Sequence, residues 1–141
     1  MIYLDTSALV KKYVIETGTE AVRTLLRNEK EFVTSKLTYA EVSASFARKY
    51  REGEIEERDY SKIWKSFIND WKTLILVEAR DELFPLIHKL TEDHSLRGAD
   101  AIHLSSALWL GDSIGEPLTF VASDSRLLTA ASAEGLKVIN P

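Results

Sequence analysis

Cysteine is absent from the chain, which excludes disulfide frameworks, thiolate catalysis and Cys-based zinc sites and leaves nothing that calls for an oxidising compartment. There is no long uninterrupted apolar stretch, and no charged start leads into an apolar segment with a small-residue cleavage site. Membrane-spanning and secretory readings therefore fall away, and a cytoplasmic location is expected. Basic excess is also missing: the formal net charge is -4, whereas a dedicated nucleic-acid binder ordinarily carries a basic footprint. Histidine is scarce, and His88, His94 and His103 show no zinc-ligand spacing. His103 is expected to be a packed residue or a support for others. No internal repeat, low-complexity segment or linker divides the chain, so residues 1–141 read as one domain with a two-layer or three-layer core.

What is present begins with an apolar run, Ile2 to Leu4, that meets Asp5, Thr6 and Ser7. Ala8, Leu9, Val10, Tyr13 and Val14 then recur at helical spacing, giving strand, turn, helix. Any of Asp5, Thr6 or Ser7 could cap that helix, where backbone N–H groups lack intrahelical partners. Thr17 to Glu20 spells a capping box for a short helix ending near Asn28. Glu31 to Ser35 is a second strand, followed by a helix from Leu37 to Arg51. Its stripe of Leu37, Ala40, Ala44, Ala47 and Tyr50 suggests close packing.

A helix from about Glu56 carries Tyr60, Ile63, Trp64, Phe67, Ile68 and Trp71 at steps of three and four, a core face or a docking face. Leu74 to Val77 suits a strand covered on both faces. Asp81 to His94 forms a helix with Pro85 in its first turn. A small-residue helix from Leu96 to Leu110 is expected to break at Gly111. Thr119 to Ala122 is a fourth strand; Ser123, Asp124 and Ser125 open a last helix, and Lys137 to Ile139 ends the chain as a strand. This alternation predicts an α/β fold around a mostly parallel sheet of about five short strands.

Four acids acquire meaning in that topology. Asp5 follows the first strand, Glu41 opens the helix after the second, Asp100 opens the small-residue helix and Asp124 follows the fourth strand. Each has a local explanation, as an N-cap, as the end of the Thr38–Glu41 capping box or as a first-turn acid. In a parallel sheet, however, strand C-termini share one edge with the N-termini of the helices that follow. If the first and fourth strands are neighbours with their helices diverging to opposite faces, Asp5 and Asp124 flank the crevice where such folds bind ligands. Converging carboxylates repel one another, and Mg²⁺ or Mn²⁺ would relieve that repulsion. Bound metal would also draw phosphate to an acidic protein, with Lys11 and Arg97 as the nearest candidates for backbone contacts among basic residues that include Arg48, Lys49, Arg51 and Arg126.

Tyr3-Leu4-Asp5-Thr6-Ser7, Thr38-Tyr39-Ala40-Glu41, Arg97-Gly98-Ala99-Asp100-Ala101-Ile102-His103-Leu104 and Ser123-Asp124-Ser125-Arg126-Leu127 resemble, in order and spacing, the PIN-domain nucleases, and more narrowly the toxins of VapBC-type toxin-antitoxin pairs. The resemblance implies a three-layer α/β/α sandwich and metal-dependent endoribonuclease activity. It assigns Asp5, Glu41, Asp100 and Asp124 to a catalytic Mg²⁺ or Mn²⁺ site, with Glu41 as ligand or as base through water. Thr6, Ser7 and Ser123 are supporting hydroxyls. It further implies an RNA substrate, a cognate antitoxin and a homodimer formed through the Tyr60–Trp71 stripe or the Tyr13 region. One departure stands out: many members carry Thr or Ser where this chain has Ala122. Haloacid-dehalogenase and receiver-type domains share the strand-Asp start, but Ser7 replaces the former's second acid and no lysine follows the fourth strand as in the latter. A PIN-like module that binds RNA or protein without cutting is the rival from another class.

Overall fold

The computed structural model describes residues 1–141. Five strands, β1 (Ile2–Leu4), β2 (Phe32–Ser35), β3 (Ile75–Val77), β4 (Thr119–Val121) and β5 (Lys137–Ile139), form one sheet in the order β3-β2-β1-β4-β5. Every pairing is parallel. The helices are α1 (Thr6–Val10), α2 (Thr19–Asn28), α3 (Leu37–Arg51), α4 (Glu57–Trp71), α5 (Phe84–Asp93), α6 (Gly98–Ile114) and α7 (Ser125–Ala133).

Alternation along β1 sets the layers. Tyr3 joins a core with Leu83, Leu90, Leu104 and Leu127, from the α5, α6 and α7 side. Ile2 and Leu4 point the other way, into a core with Leu9, Val42, Phe46 and Phe67 from α1, α3 and α4. The sheet is thus covered on both faces, as the three-layer sandwich requires, and β1 lies at its centre. The aromatic stripe of α4 is core: Phe67 is fully buried and Tyr60, Ile63, Trp64, Ile68 and Trp71 pack against that second cluster.

Four local expectations are corrected. On α3 the buried face is Thr38, Val42, Phe46 and Lys49, while Ala40, Ala44 and Tyr50 are exposed. Burying Val and Phe removes far more apolar area from water than burying alanines, so the larger residues fix the rotation of the helix. The segment expected to be a doubly covered strand is the sheet edge, and Ile75 is 39% exposed. A continuous apolar run does not by itself distinguish an edge from a centre.

The Thr17–Glu20 capping box does not form. Gly18, at φ 94°, is the N-cap of α2, and the Thr19 hydroxyl accepts the Glu16 N–H at 3.0 Å. Nor does Gly111 end α6, which continues to Ile114 and stops at Gly115, φ 78°. Gly111 serves the chain reversal: a Cβ there would lie 3.0 Å from the Glu116 carbonyl oxygen, which leaves space only for glycine without adjustment.

Candidate active site

β1 and β4 run side by side, with Leu4 opposite Val121, and the Asp5 N–H donates to the Val121 carbonyl at 3.0 Å. Both strands end at the same level, so the acids that follow them meet. Asp5, Glu41, Asp100 and Asp124 line one cleft together with Thr6, Ser7 and Ser123. Lys11, Glu16, Ser45, Arg48, Lys49 and Arg97 line the same cleft, so acids and bases share it.

Asp5 is the N-cap of α1. Its Oδ2 accepts the Ser7 N–H at 3.1 Å and the Ser7 hydroxyl at 2.6 Å, while Oδ1 lies 3.4 Å from His103 Nε2. Asp124 is used the same way: Oδ1 accepts the backbone N–H groups of Arg126 and Leu127 at 2.9 and 3.1 Å, and Oδ2 makes no hydrogen bond. Each strand-end aspartate therefore caps a helix with one oxygen and keeps the other clear of that duty. The Ala122 side chain is packed in the core and does not reach this arrangement. The Ser123 N–H donates to Ser7 Oγ at 2.9 Å, and its own hydroxyl is buried without a partner. Such an orphaned oxygen at a cleft is a place for a water or ligand atom.

Glu41 is held by side chains. Oε1 accepts the Thr6 hydroxyl at 2.8 Å and lies 2.6 Å from His103 Nε2. Burial would raise the Glu41 carboxyl, but the His103 hydrogen bond and charge, with Thr6 adding to them, outweigh it and hold the pKa below its ordinary value. For His103, burial disfavours the imidazolium; the Glu41 hydrogen bond and the nearby Asp5 charge overcome this and raise its pKa. The two shifts agree on an ion pair.

Asp100 lies under Arg97. The Arg97 N–H and Nε reach Oδ2 at 3.1 and 3.2 Å, and Nη2 reaches Oδ1 at 3.3 Å. The Asp100 hydrogen bond and charge raise the Arg97 pKa further. Lys11, the other candidate for a phosphate contact, is turned inward: it is 9% exposed, donates to the Thr17 carbonyl at 2.6 Å and stands 3.7 Å from Glu16. Lys49 is paired with Glu54 and Glu16. Arg48 is exposed on the same cleft and makes no ion pair.

No three acidic or imidazole groups are gathered closely enough to hold a metal ion as the side chains lie. Both Asp100 oxygens are occupied by Arg97 and one Glu41 oxygen by His103 and Thr6. The chemistry of the donors nevertheless fits a hard divalent cation, because carboxylate oxygens dominate and the orphaned Ser123 hydroxyl adds another oxygen. The Arg97 side chain is 72% exposed, so its departure from Asp100 needs no repacking.

The links from Tyr3 and Thr6 to His103 and Glu41 were not read from the sequence. The sequence carries a signal for His103 alone, because Asp100 and His103 are three residues apart and share a face of α6.

A family model described as PIN domain matches residues 2–132. Ribonuclease VapC45 of Mycobacterium tuberculosis (strain CDC 1551 / Oshkosh) is 33% identical over 138 residues, covering 98% of this chain and 94% of that protein. Among solved structures, FitAcB from Neisseria gonorrhoeae superposes with a TM-score of 0.72 at 16% identity, covering 100% of this chain and 98% of that one. VapBC2 from Rickettsia felis, bound to a DNA fragment from its promoter, gives 0.68 at 14% identity and covers 100% and 99%. At those identities the two structures speak to the fold alone.

Proposed function

The chain belongs to the PIN-domain family, and on that premise we propose that it is a Mg²⁺- or Mn²⁺-dependent endoribonuclease that hydrolyses RNA phosphodiester bonds as the toxin of a toxin-antitoxin pair. Four carboxylates from four separate elements line one cleft at the C-terminal edge of the parallel sheet, and this observation carries the reading. The name of the relative, a ribonuclease VapC, supports it. Family membership sets aside the haloacid-dehalogenase and receiver-type alternatives.

Asp5, Asp100 and Asp124 would hold the cation, with Glu41 as a further ligand or as base through a water. A bound divalent ion supplies neutralisation of charge on the phosphate and activation of water. The remaining work falls to the chain's own groups. Ser7 braces Asp5, while Thr6 and His103 fix Glu41. Arg48 is the cation free to meet an RNA phosphate, and Arg97 can do so once it leaves Asp100.

A cognate antitoxin would cover this cleft. The fork of Arg97 on Asp100 supports the idea that a basic side chain from a partner can seat among these acids. A homodimer is proposed through the Tyr13 region, where neighbouring Ile15 is 83% exposed; the α4 stripe is largely used up within the chain. No helix is long and apolar enough to cross a membrane, and a cytoplasmic location with residues 1–141 as one nuclease domain is proposed.

The test is incubation of purified protein with total RNA, in Mg²⁺ and in EDTA, beside Asp100→Asn, followed by mapping of new ends. Discrete Mg²⁺-dependent ends that vanish in the variant are expected. Retained RNA binding with no cleavage in Mg²⁺ or Mn²⁺ would establish the non-catalytic PIN-like module instead.

A further inference from the structure

Glu41 differs from the other three acids in how it is held. Asp5 accepts the Ser7 N–H, Asp124 the Arg126 and Leu127 N–H groups, and Asp100 the Arg97 N–H. Main-chain donors of this kind are fixed with the helix ends themselves. Glu41 has none; its hydrogen bonds come only from the side chains of Thr6 and His103. A glutamate side chain has several rotatable bonds and loses substantial entropy when fixed, so its position depends on those two donors.

His103 is 1% exposed and Tyr3 is wholly buried behind it. The Tyr3 hydroxyl lies 3.0 Å from His103 Nδ1, with the ring planes at 79°. Tyr3 is itself fixed by stacking on Phe120, with centroids 5.2 Å apart and planes within 5°. Two polar side chains inside a core cost free energy unless they are paired, and an apolar pair would fill the space without that cost. Their pairing leads outward: Tyr3 hydroxyl, imidazole Nδ1, imidazole Nε2, Glu41 Oε1.

We infer that Tyr3 and His103 are a buried positioning pair for Glu41, in which Tyr3 fixes the imidazole ring and the ring fixes the carboxylate. The inference rests on the nuclease reading of the same cleft for its kinetic consequence, though not for its geometry. It does not depend on the charge of the imidazole. Nε2–H donates to Glu41 in the neutral ring, whose Nδ1 then accepts from the Tyr3 hydroxyl; in the imidazolium Nδ1–H donates to that hydroxyl instead. A phenol serves both roles where Phe or Leu serves neither.

The first experiment needs neither RNA nor metal. In the metal-free protein the His103 Nε2–H should give a downfield, slowly exchanging proton resonance, identified by its loss in His103→Gln. It should move or broaden in Glu41→Gln and shift in Tyr3→Phe, which keeps the stack on Phe120. Kinetics supply the second arm. Loss of the Tyr3 hydrogen bond should lower kcat about 3- to 10-fold with KM for RNA unchanged. His103→Ala, which frees Glu41, should lower kcat about 100-fold, again with KM unchanged. His103→Gln, which keeps a side-chain N–H donor, should recover part of that loss. If His103→Ala does not fold, Tyr3→Phe and the proton resonance carry the test. Unchanged kcat in Tyr3→Phe together with a resonance indifferent to Glu41→Gln would overturn the pair. Absence of cleavage by the parent protein would count against the nuclease reading alone, leaving the resonance to decide the geometry.

Discussion

The Ser7 hydroxyl accepts the backbone N–H of Ser123 at 2.9 Å and so ties the end of β1 to the end of β4, while donating to Asp5 Oδ2 at 2.6 Å. One oxygen thus braces an acid and joins the two strands that flank the cleft. Ser7→Ala leaves the Ser123 N–H and Asp5 Oδ2 each short of a partner. The expected cost is about 1–3 kcal/mol, read from urea melts, with a fall in cleavage larger than the loss of folded protein explains. A melt identical to the parent's would show that water replaces the hydroxyl without penalty.

Asp124 caps α7 through Oδ1 and leaves Oδ2 without a hydrogen bond, so substitutions can separate capping from the proposed metal binding. Asparagine retains the oxygen that accepts the Arg126 and Leu127 N–H groups; alanine does not. Asp124→Asn should therefore melt like the parent, whereas Asp124→Ala should lose about 1 kcal/mol, the usual worth of an N-cap. Both should lose Mg²⁺-dependent cleavage. If Asp124→Asn cleaves RNA as well as the parent, the capping duty is the carboxylate's only one.

The same division of labour shows how far the sequence can be read. Short apolar runs alternating with helices send Asp5 and Asp124 to one edge, because a parallel sheet brings every strand end there; that they stand side by side follows from the pairing of β1 with β4, which the structure supplies. Which oxygen does which work is not legible: the sequence allows any of Asp5, Thr6 or Ser7 as the cap, and the structure shows that Asp5 caps the helix while the hydroxyls serve Asp5 and Glu41. The rotation of α3 was misjudged because small residues repeat at helical spacing on its exposed side, while Val42 and Phe46 decide the packing. Gly111 looked like a helix stop because its real constraint, the approach of Glu116, comes from the chain reversal that follows. The Tyr3–His103 contact spans one hundred positions and has no local signature.

Arg97 occupies both carboxylate oxygens of Asp100 and would compete with a cation held there. Arg97→Ala removes the guanidinium from both carboxylate oxygens and should tighten Mn²⁺ binding, measured without RNA by titration calorimetry or by the loss of free Mn²⁺ signal in electron paramagnetic resonance. Because the arginine side chain is 72% exposed, the expected change in stability is within about 1 kcal/mol. Cleavage then reports the second role. A raised KM at saturating metal would mean that Arg97 contacts RNA after leaving Asp100, and unchanged metal affinity would mean that it does not obstruct the site.

The Glu41–His103 ion pair should make stability depend on pH in a defined window. Glu41 titrates below its ordinary 4.5 in the folded chain, so its contribution is present above that value and is lost as pH falls through the lowered pKa. His103 titrates above its ordinary 6.5, so its contribution is complete below that value and is lost as pH rises through the raised pKa. Both are complete between 4.5 and 6.5. Urea midpoints of the parent and of His103→Gln, both in EDTA, should therefore differ most in that interval and converge on either side. Convergence only at the alkaline end would assign the linkage to His103, with Glu41 compensated by Thr6. A difference that does not change with pH would refute an ionised pair and leave a neutral hydrogen bond between the two side chains.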